Sequence, residues 1–251
     1  MFAVEDKNGI ALLRMQYGPA NAMDVDFCTA LTRKIQTLEK SSSRAIVLTG
    51  QNRIFCAGVD LPQLLAGGRD YVQRFLPALD VLLETLFFCS KPVIAAVNGH
   101  AIAGGCLLTC CADQRLMVDG KAQIGVAELR VGVPFPAVAL EIMRARTSPD
   151  SFAEVILKAA TYSAQKAKAR GLIDEIVEQE QLLTEAIAAA EALASVRSAV
   201  FAFSKQQIRQ PVREAIDSRS KLQEEELFAL WESEETHAAV SGFVERTFKK
   251  V

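Results

Sequence analysis
The stretch KPVIAAVNGHAIAGGCLLTCCAD, residues 91–113, sets the architecture of the chain. Val93–Val97 is a short apolar run rich in β-branched residues. Lys91-Pro92 precedes it and Asn98-Gly99 comes after, as a buried strand is bounded. Gly104-Gly105 then opens a small apolar helix, so the segment reads as strand, Gly-rich turn, helix. Adjacent glycines let backbone approach a ligand closely, and the first helical turn leaves N–H groups without intrahelical partners. Those donors, helped by the helix dipole, suit a developing oxyanion or enolate without any charged side chain. No Lys-Ser/Thr pair comes after the glycines and no G-x-G-x-x-G occurs, which ranks a nucleotide-phosphate loop well below that reading. Close strand–helix packing also demands glycine, and the pair alone does not separate the two explanations.

On either side of this segment the pattern alternates between strands and helices. Residues 10–15 form an apolar strand closed by Tyr17-Gly18-Pro19, and the loop Ala20-Asn21-Ala22 leads into a helix from about Asp24. Residues 45–48 are a second buried strand, ended by the turn Thr49-Gly50-Gln51-Asn52. In Phe55-Cys56-Ala57-Gly58-Val59-Asp60-Leu61, a glycine sits in a tight bend and Asp60 caps the next helix, giving a second source of a free N–H. Residues 66–70 read as a mobile loop, and residues 72–86 as one face of a long helix kinked at Pro77. Residues 114–118 and 122–124 are expected strands. Glu128 then stands in an apolar neighbourhood between Gly125 and Gly132, where desolvation lifts a carboxyl toward a useful general base. The competing reading pairs Glu128 with Arg130 or another Arg at the surface. Ser148 and Ser163 begin helices as caps, residues 172–177 form a strand, and residues 179–251 are helical throughout. The organisation is a mixed α/β body with an all-helical unit after it.

Bulk properties narrow the function. A chain of 251 residues, 50% hydrophobic, buries a large core. The net charge of -2, scattered Lys and Arg and a single tryptophan, Trp231, speak against nucleic acid. No stretch reaches the roughly 18 uncharged apolar residues of a membrane span, and no signal-peptide pattern is present, so a cytoplasmic location is expected. The six cysteines sit in apolar runs without disulfide or zinc spacing. Cys106, Cys110 and Cys111 read as core rather than metal ligands. His100 and His237 read as structural or surface groups, and Asp60, Asp113 and Glu141 as candidate extra acids, the two aspartates equally as caps at helix or strand ends.

Three motifs in order and spacing resemble the crotonase family, the enoyl-CoA hydratases and isomerases. They are the run from Phe55 to Leu61, Asn98-Gly99-His100-Ala101-Ile102-Ala103-Gly104-Gly105-Cys106, and Ile124-Gly125-Val126-Ala127-Glu128 with Gly132. The resemblance extends through Tyr162-Ser163-Ala164-Gln165 and Gly171-Leu172-Ile173 to Phe243-Val244-Glu245-Arg246, nearly the whole chain. It implies a crotonase-like spiral of ββα repeats over residues 1–190 and a C-terminal helical oligomerisation region over residues 191–251. That region would build a homotrimer or hexamer.

The resemblance further implies an acyl-CoA thioester as ligand, with coenzyme A part of the substrate and no permanently bound cofactor or metal. The N–H groups of Val59 and Gly104 become the expected oxyanion-hole donors. Asn21, Ala22, Ala57, Asp60, Leu61, Gly105, Leu107 and Phe135 become the expected substrate-binding residues. In the hydratases two glutamates manage the water, the first of them three residues after the glycine matched by Gly104. Here that position is Leu107, and only the second glutamate is matched, by Glu128. One base beside an oxyanion hole is similar to the family's 3-enoyl to 2-enoyl-CoA isomerases. The alternatives are a hydratase, another crotonase-type reaction such as decarboxylation or thioester hydrolysis, and a catalytically silent CoA-binding subunit.

Overall fold
The structure is a computed structural model and describes residues 1–248. A strand–strand–helix unit recurs four times. The units are β1 (Phe2–Lys7), β2 (Ile10–Met15), α1 (Val25–Lys40); β3 (Ala45–Thr49), β4 (Ile54–Cys56), α2 (Leu61–Phe87); β5 (Val93–Val97), β6 (His100–Ile102), α3 (Gly104–Cys111); and β7 (Gln114–Val118), β8 (Ile124–Gly125), α4 (Glu128–Val131). Next come α5 (Ala137–Arg146), α6 (Pro149–Lys158), β9 (Thr161–Tyr162), α7 (Ala164–Ala169) and β10 (Glu175–Val177). The chain then runs through α8 (Leu182–Ala194), α9 (Ser198–Trp231) and α10 (Glu234–Phe248).

The strands sort by rank within the repeat. β3, β5 and β7 join a six-stranded sheet ordered β1-β2-β3-β5-β7-β10, while β4, β6 and β8 join a four-stranded sheet ordered β4-β6-β8-β9. Apart from the β1–β2 hairpin, the large sheet is parallel and buried on both faces. Alternation with period two divides its side chains. Ile46, Leu48, Val93, Ala95 and Val97 face the main core with α1, α2 and α3, whereas Ala45, Val47, Ile94 and Ala96 face Leu182, Ala186 and Ala190 of α8. The expected boundary at residue 190 therefore falls inside a helix that covers the sheet. Residues 249–251 of the expected helical tail lie outside the described residues.

Several local expectations change. Residues 66–70 fall within the span of α2 instead of a loop, and the break in α2 is at Gly68, whose φ of 56° and ψ of -148° leave the helical region, rather than at Pro77. Beyond that break, Arg69 and Gln73 bond Glu232 at 2.6 and 3.0 Å, fixing the segment to the end of α9. Ser148 and Ser163 occupy the cap positions of α6 and α7 but make no capping bond; the Ser148 hydroxyl turns to the Arg170 carbonyl at 3.4 Å. The last strand shortens to β10, because Leu172 and Ile173 are core residues of the turn before it. Among the described residues, no single helix is long and apolar enough to cross a membrane.

Candidate active site
The small sheet assembles the site. β4 and β6 are parallel neighbours through Ile54↔His100 and Cys56↔Ala101, and β6 and β8 through Ala101↔Ile124 and Ile102↔Gly125. Parallel strands release their succeeding turns on the same side. The turns after β4, β6 and β8 carry Val59, Gly104 and Glu128, so topology alone gathers residues far apart in sequence. All three line one pocket, with a cavity of about 200 Å³.

The first two turns press against each other. Gly58 has a φ of +87°, and a Cβ there would lie 2.8 Å from the Ile102 carbonyl and 2.9 Å from the Ala103 Cβ. Ala103 is itself left-handed, φ 50°, a strained conformation for a residue with a side chain, and its N–H is held by the Gly125 carbonyl at 2.8 Å. A Cβ on Gly104 would strike the Met23 sulfur, and one on Gly105 the Cys56 carbonyl. Close packing and backbone presentation are thus one requirement here. Met23 bridges Val59 through Met23 N–H to Gly58 O at 2.8 Å and Asp60 N–H to Met23 O at 2.9 Å. Neither the Val59 nor the Gly104 N–H donates to an acceptor among the described residues, the latter because it begins α3.

Glu128 is 9% exposed, and its Oε2 is buried without a hydrogen-bond partner. Arg130 points to solvent, and no ion pair reaches the carboxylate among the described residues, so the surface-pair reading does not hold. Burial pushes the Glu128 pKa from an ordinary 4.5 to about 7, with backbone donors of Glu128 and Ala127 pulling weakly the other way. It is the one titratable side chain among the described residues lining the pocket; Leu107, 3% exposed, stands one turn into α3.

Of the expected binding residues, Ala57, Leu61, Leu107 and Phe135 line this pocket, whereas Asn21, Ala22, Asp60 and Gly105 do not. Asn21 is fully buried and its amide is spent on backbone: it accepts from Tyr17 N at 2.8 Å and donates to Met15 O and Phe55 O at 3.2 and 3.0 Å. Its side chain shapes the first turn. Asp60 caps α2 by accepting from Gln63 N at 3.0 Å. The cysteines are all buried, and no cluster suited to a metal ion occurs among the described residues.

Sequence reasoning missed the roof. Trp231, Phe243 and Thr247 close the pocket from α9 and α10. Trp231 Nε1 donates to Pro134 O at 3.1 Å, and Thr236 Oγ1 to Gly132 O at 3.4 Å, pinning both helices to the segment that carries Glu128. A lone, nearly buried tryptophan was the available signal, but its partner lies 97 residues earlier.

Comparison with known proteins agrees with this construction. The family model for enoyl-CoA hydratase/isomerase matches residues 5–250. Mitochondrial enoyl-CoA hydratase of Pongo abelii is 31% identical over 244 residues, covering 95% of this chain and 82% of that protein. Mitochondrial enoyl-CoA delta isomerase 1 of Rattus norvegicus is 30% identical over 186 residues, 72% of this chain and 64% of that protein. The crystal structure of human mitochondrial delta3-delta2-enoyl-CoA isomerase superposes with a TM-score of 0.92 over 99% of this chain and 98% of that one; at 21% identity this is a likeness of fold. The chain, an α/β protein of the crotonase fold with a helical C-terminal region, belongs to the enoyl-CoA hydratase/isomerase family.

Proposed function
We propose that this enzyme moves the double bond of a 3-enoyl-CoA to the 2-position, with Glu128 as its single acid and base. The observation that carries the reading is one buried carboxylate, with Oε2 free of any hydrogen-bond partner, in an otherwise uncharged, apolar pocket beside two unengaged N–H groups. The α-proton of a 3-enoyl thioester is acidified by both the carbonyl and the alkene. Ionised Glu128 removes it, the electron pair passes into a dienolate, and the carboxylic acid returns the same proton at C4. The N–H groups of Val59 and Gly104 hold the dienolate oxygen, where one such donor is worth about 3 kcal/mol in the barrier. Hydration needs a second group to orient water, and Leu107 offers neither donor nor acceptor.

Coenzyme A enters as part of the substrate, past Ala57 and Leu61. Association of copies into a trimer or hexamer is part of the same reading, supported by the exposed Val200, Phe203, Ile208 and Leu222 on α9. The test is turnover of matched 3-enoyl-CoA and 2-enoyl-CoA by the wild type and by Glu128→Gln. Isomerisation of the 3-enoyl substrate, lost by roughly 10²- to 10⁴-fold in the variant while CoA-thioester binding persists, is the expected result. Hydration of the 2-enoyl substrate at a comparable rate would replace isomerase by hydratase. Binding without turnover of either would leave a silent CoA-binding protein.

A further inference from the structure
A second cavity, of about 390 Å³, lies on the other side of Phe135, which lines both it and the Glu128 pocket. Chain neighbours straddle the divide: on α2 Leu79 belongs to the first pocket and Asp80 to the second, and on α9 Trp231 and Leu230 divide the same way. Its walls include Leu76, Val81, Leu227 and Phe228.

Ser220, Gln223, Glu224 and Glu226 of α9 line the cavity as well, and Asp80 faces them from the α2 side. Its Oδ1 is buried without a hydrogen-bond partner, and the side chain makes no hydrogen bond or ion pair among the described residues. Burial, then the nearby negative charges of Glu84 and Glu224, push its pKa from 3.8 to about 7. Glu84 is itself bonded to Arg213 at 3.2 Å, while Glu224 and Glu226 line the cavity and no basic side chain does. A buried polar atom left in this state is destabilising unless something else meets it.

We propose that this cavity is a second acyl subsite, reached past Phe135, in which Asp80 binds a hydroxyl group on the distal part of the acyl chain. The inference rests on the acyl-thioester reading of the first pocket and deepens it by naming a substrate class, hydroxylated acyl thioesters. The choice of a hydroxyl comes from the geometry: Asp80 Oδ1 is a buried acceptor without a donor in the wall of the cavity, and a hydroxyl is an uncharged donor small enough to meet it. A hydroxyl donates to the carboxylate and accepts from the carboxylic acid, so it serves both forms. A terminal carboxylate is repelled by Glu224 and Glu226, a ketone serves the acid form alone, and a methyl end leaves Asp80 unmet.

The test uses saturated octanoyl-, decanoyl- and dodecanoyl-CoA and their ω-hydroxy counterparts, which cannot be isomerised, titrated calorimetrically into the wild type, Asp80→Leu and Asp80→Ala. At the chain length that reaches Asp80, the hydroxylated ligand is expected to bind about 10-fold more tightly to the wild type, a typical value for a hydrogen bond to a charged group. Both variants should bring that ratio to near one, and Asp80→Ala should bind the plain ligand at least as well as the wild type does. Asp80→Ala adds no bulk, so it separates loss of the acid from filling of the cavity. Equal affinity within every pair for the wild type, or a preference that both variants keep, would overturn the proposal. In that case plain decanoyl-CoA binding and 3-enoyl turnover would leave the reading of the first pocket standing. If no acyl-CoA bound at all, both readings would fall.

Discussion

Glu128 has a folded pKa raised from 4.5 to about 7, and the sign of that shift has a consequence for stability. The folded state holds the proton more tightly than the unfolded one. The contribution of the neutral acid is fully present below about pH 4.5 and is lost as pH rises through about 7, at a cost of about 3 kcal/mol once ionised. Glu128→Gln, neutral at every pH, should therefore melt higher than the wild type near pH 8.5 and nearly level with it near pH 4.5. A difference independent of pH would mean that the carboxylate is solvated. Activity runs oppositely, since the base form is needed: kcat/KM of the wild type should climb with pH and level off above about 7, on one ionisation.

Leu107→Glu probes the missing partner. Hydration of 2-enoyl-CoA is expected to appear, with a stability loss of a few kcal/mol for the buried acid; unchanged substrate range would show that Leu107 is not what excludes water chemistry. Glu128 was legible in the sequence because an acid inside an apolar run between two glycines has few other uses. The backbone role of the Asn21 side chain was not legible. Its motif position is the same whether its amide meets a ligand or, as here, the carbonyls of Met15 and Phe55.

Among the elements, the glycine pair that opens α3 tests whether packing or ligand approach matters more. An added Cβ at Gly104 meets the Met23 thioether, a flexible side chain, whereas at Gly105 it meets the fixed carbonyl of Cys56. Gly105→Ala should consequently destabilise by about 3 kcal/mol or more, measured by denaturant unfolding, and Gly104→Ala by about 1–2 kcal/mol. The reverse order would place the rigid constraint at Met23. Buried strands such as β3 and β5 were readable because apolar runs end at sharp turn signals. β1 was missed, being a half-exposed edge strand with Glu5, Asp6 and Lys7, which owes its existence to pairing with β2. β6, three residues long, owes its own to β4 and β8. Tertiary pairing of this kind leaves no local pattern. The break at Gly68 went unread for a related reason: proline advertises a kink, but α2 absorbs Pro77, and only the backbone angles reveal where it turns.

For the molecule as a whole, the question is what holds the helical C-terminal region to the α/β body, since the pocket roof hangs from it. Asp113, just past the C-terminal end of α3, is the fastener. Its carboxylate takes Lys205 Nζ at 2.6 Å and Arg209 Nη2 at 2.7 Å, both from α9, and accepts from Val93 N at 2.8 Å at the start of β5. Lys205 also donates to Lys91 O at 3.0 Å, and the Arg209 guanidinium lies 4.1 Å from the centre of the Phe87 ring. Both cations are nearly buried, 7% and 5% exposed, and burial holds each below its ordinary pKa despite the pull of Asp113. The pattern of charges along α9 did not reveal this, because a Lys and an Arg four residues apart read as one solvated face until a partner 92 residues away is known. Asp113→Ala removes the counter-charge and leaves two cations in a dry interface. Such a change typically costs about 3–5 kcal/mol, because the stranded charge is worse than no pair at all. The melting temperature should fall by about 2–4 °C for each kcal/mol, and amide exchange should quicken first in α9. Lys205→Met with Arg209→Met in the Asp113→Ala background removes the stranded charges and should recover most of the loss. If the triple variant were no more stable than Asp113→Ala, the attachment of α9 would have to rest on apolar packing and its other polar ties, Arg213 to Glu84, Arg219 to Glu141, Trp231 to Pro134 and Glu232 to Arg69 and Gln73.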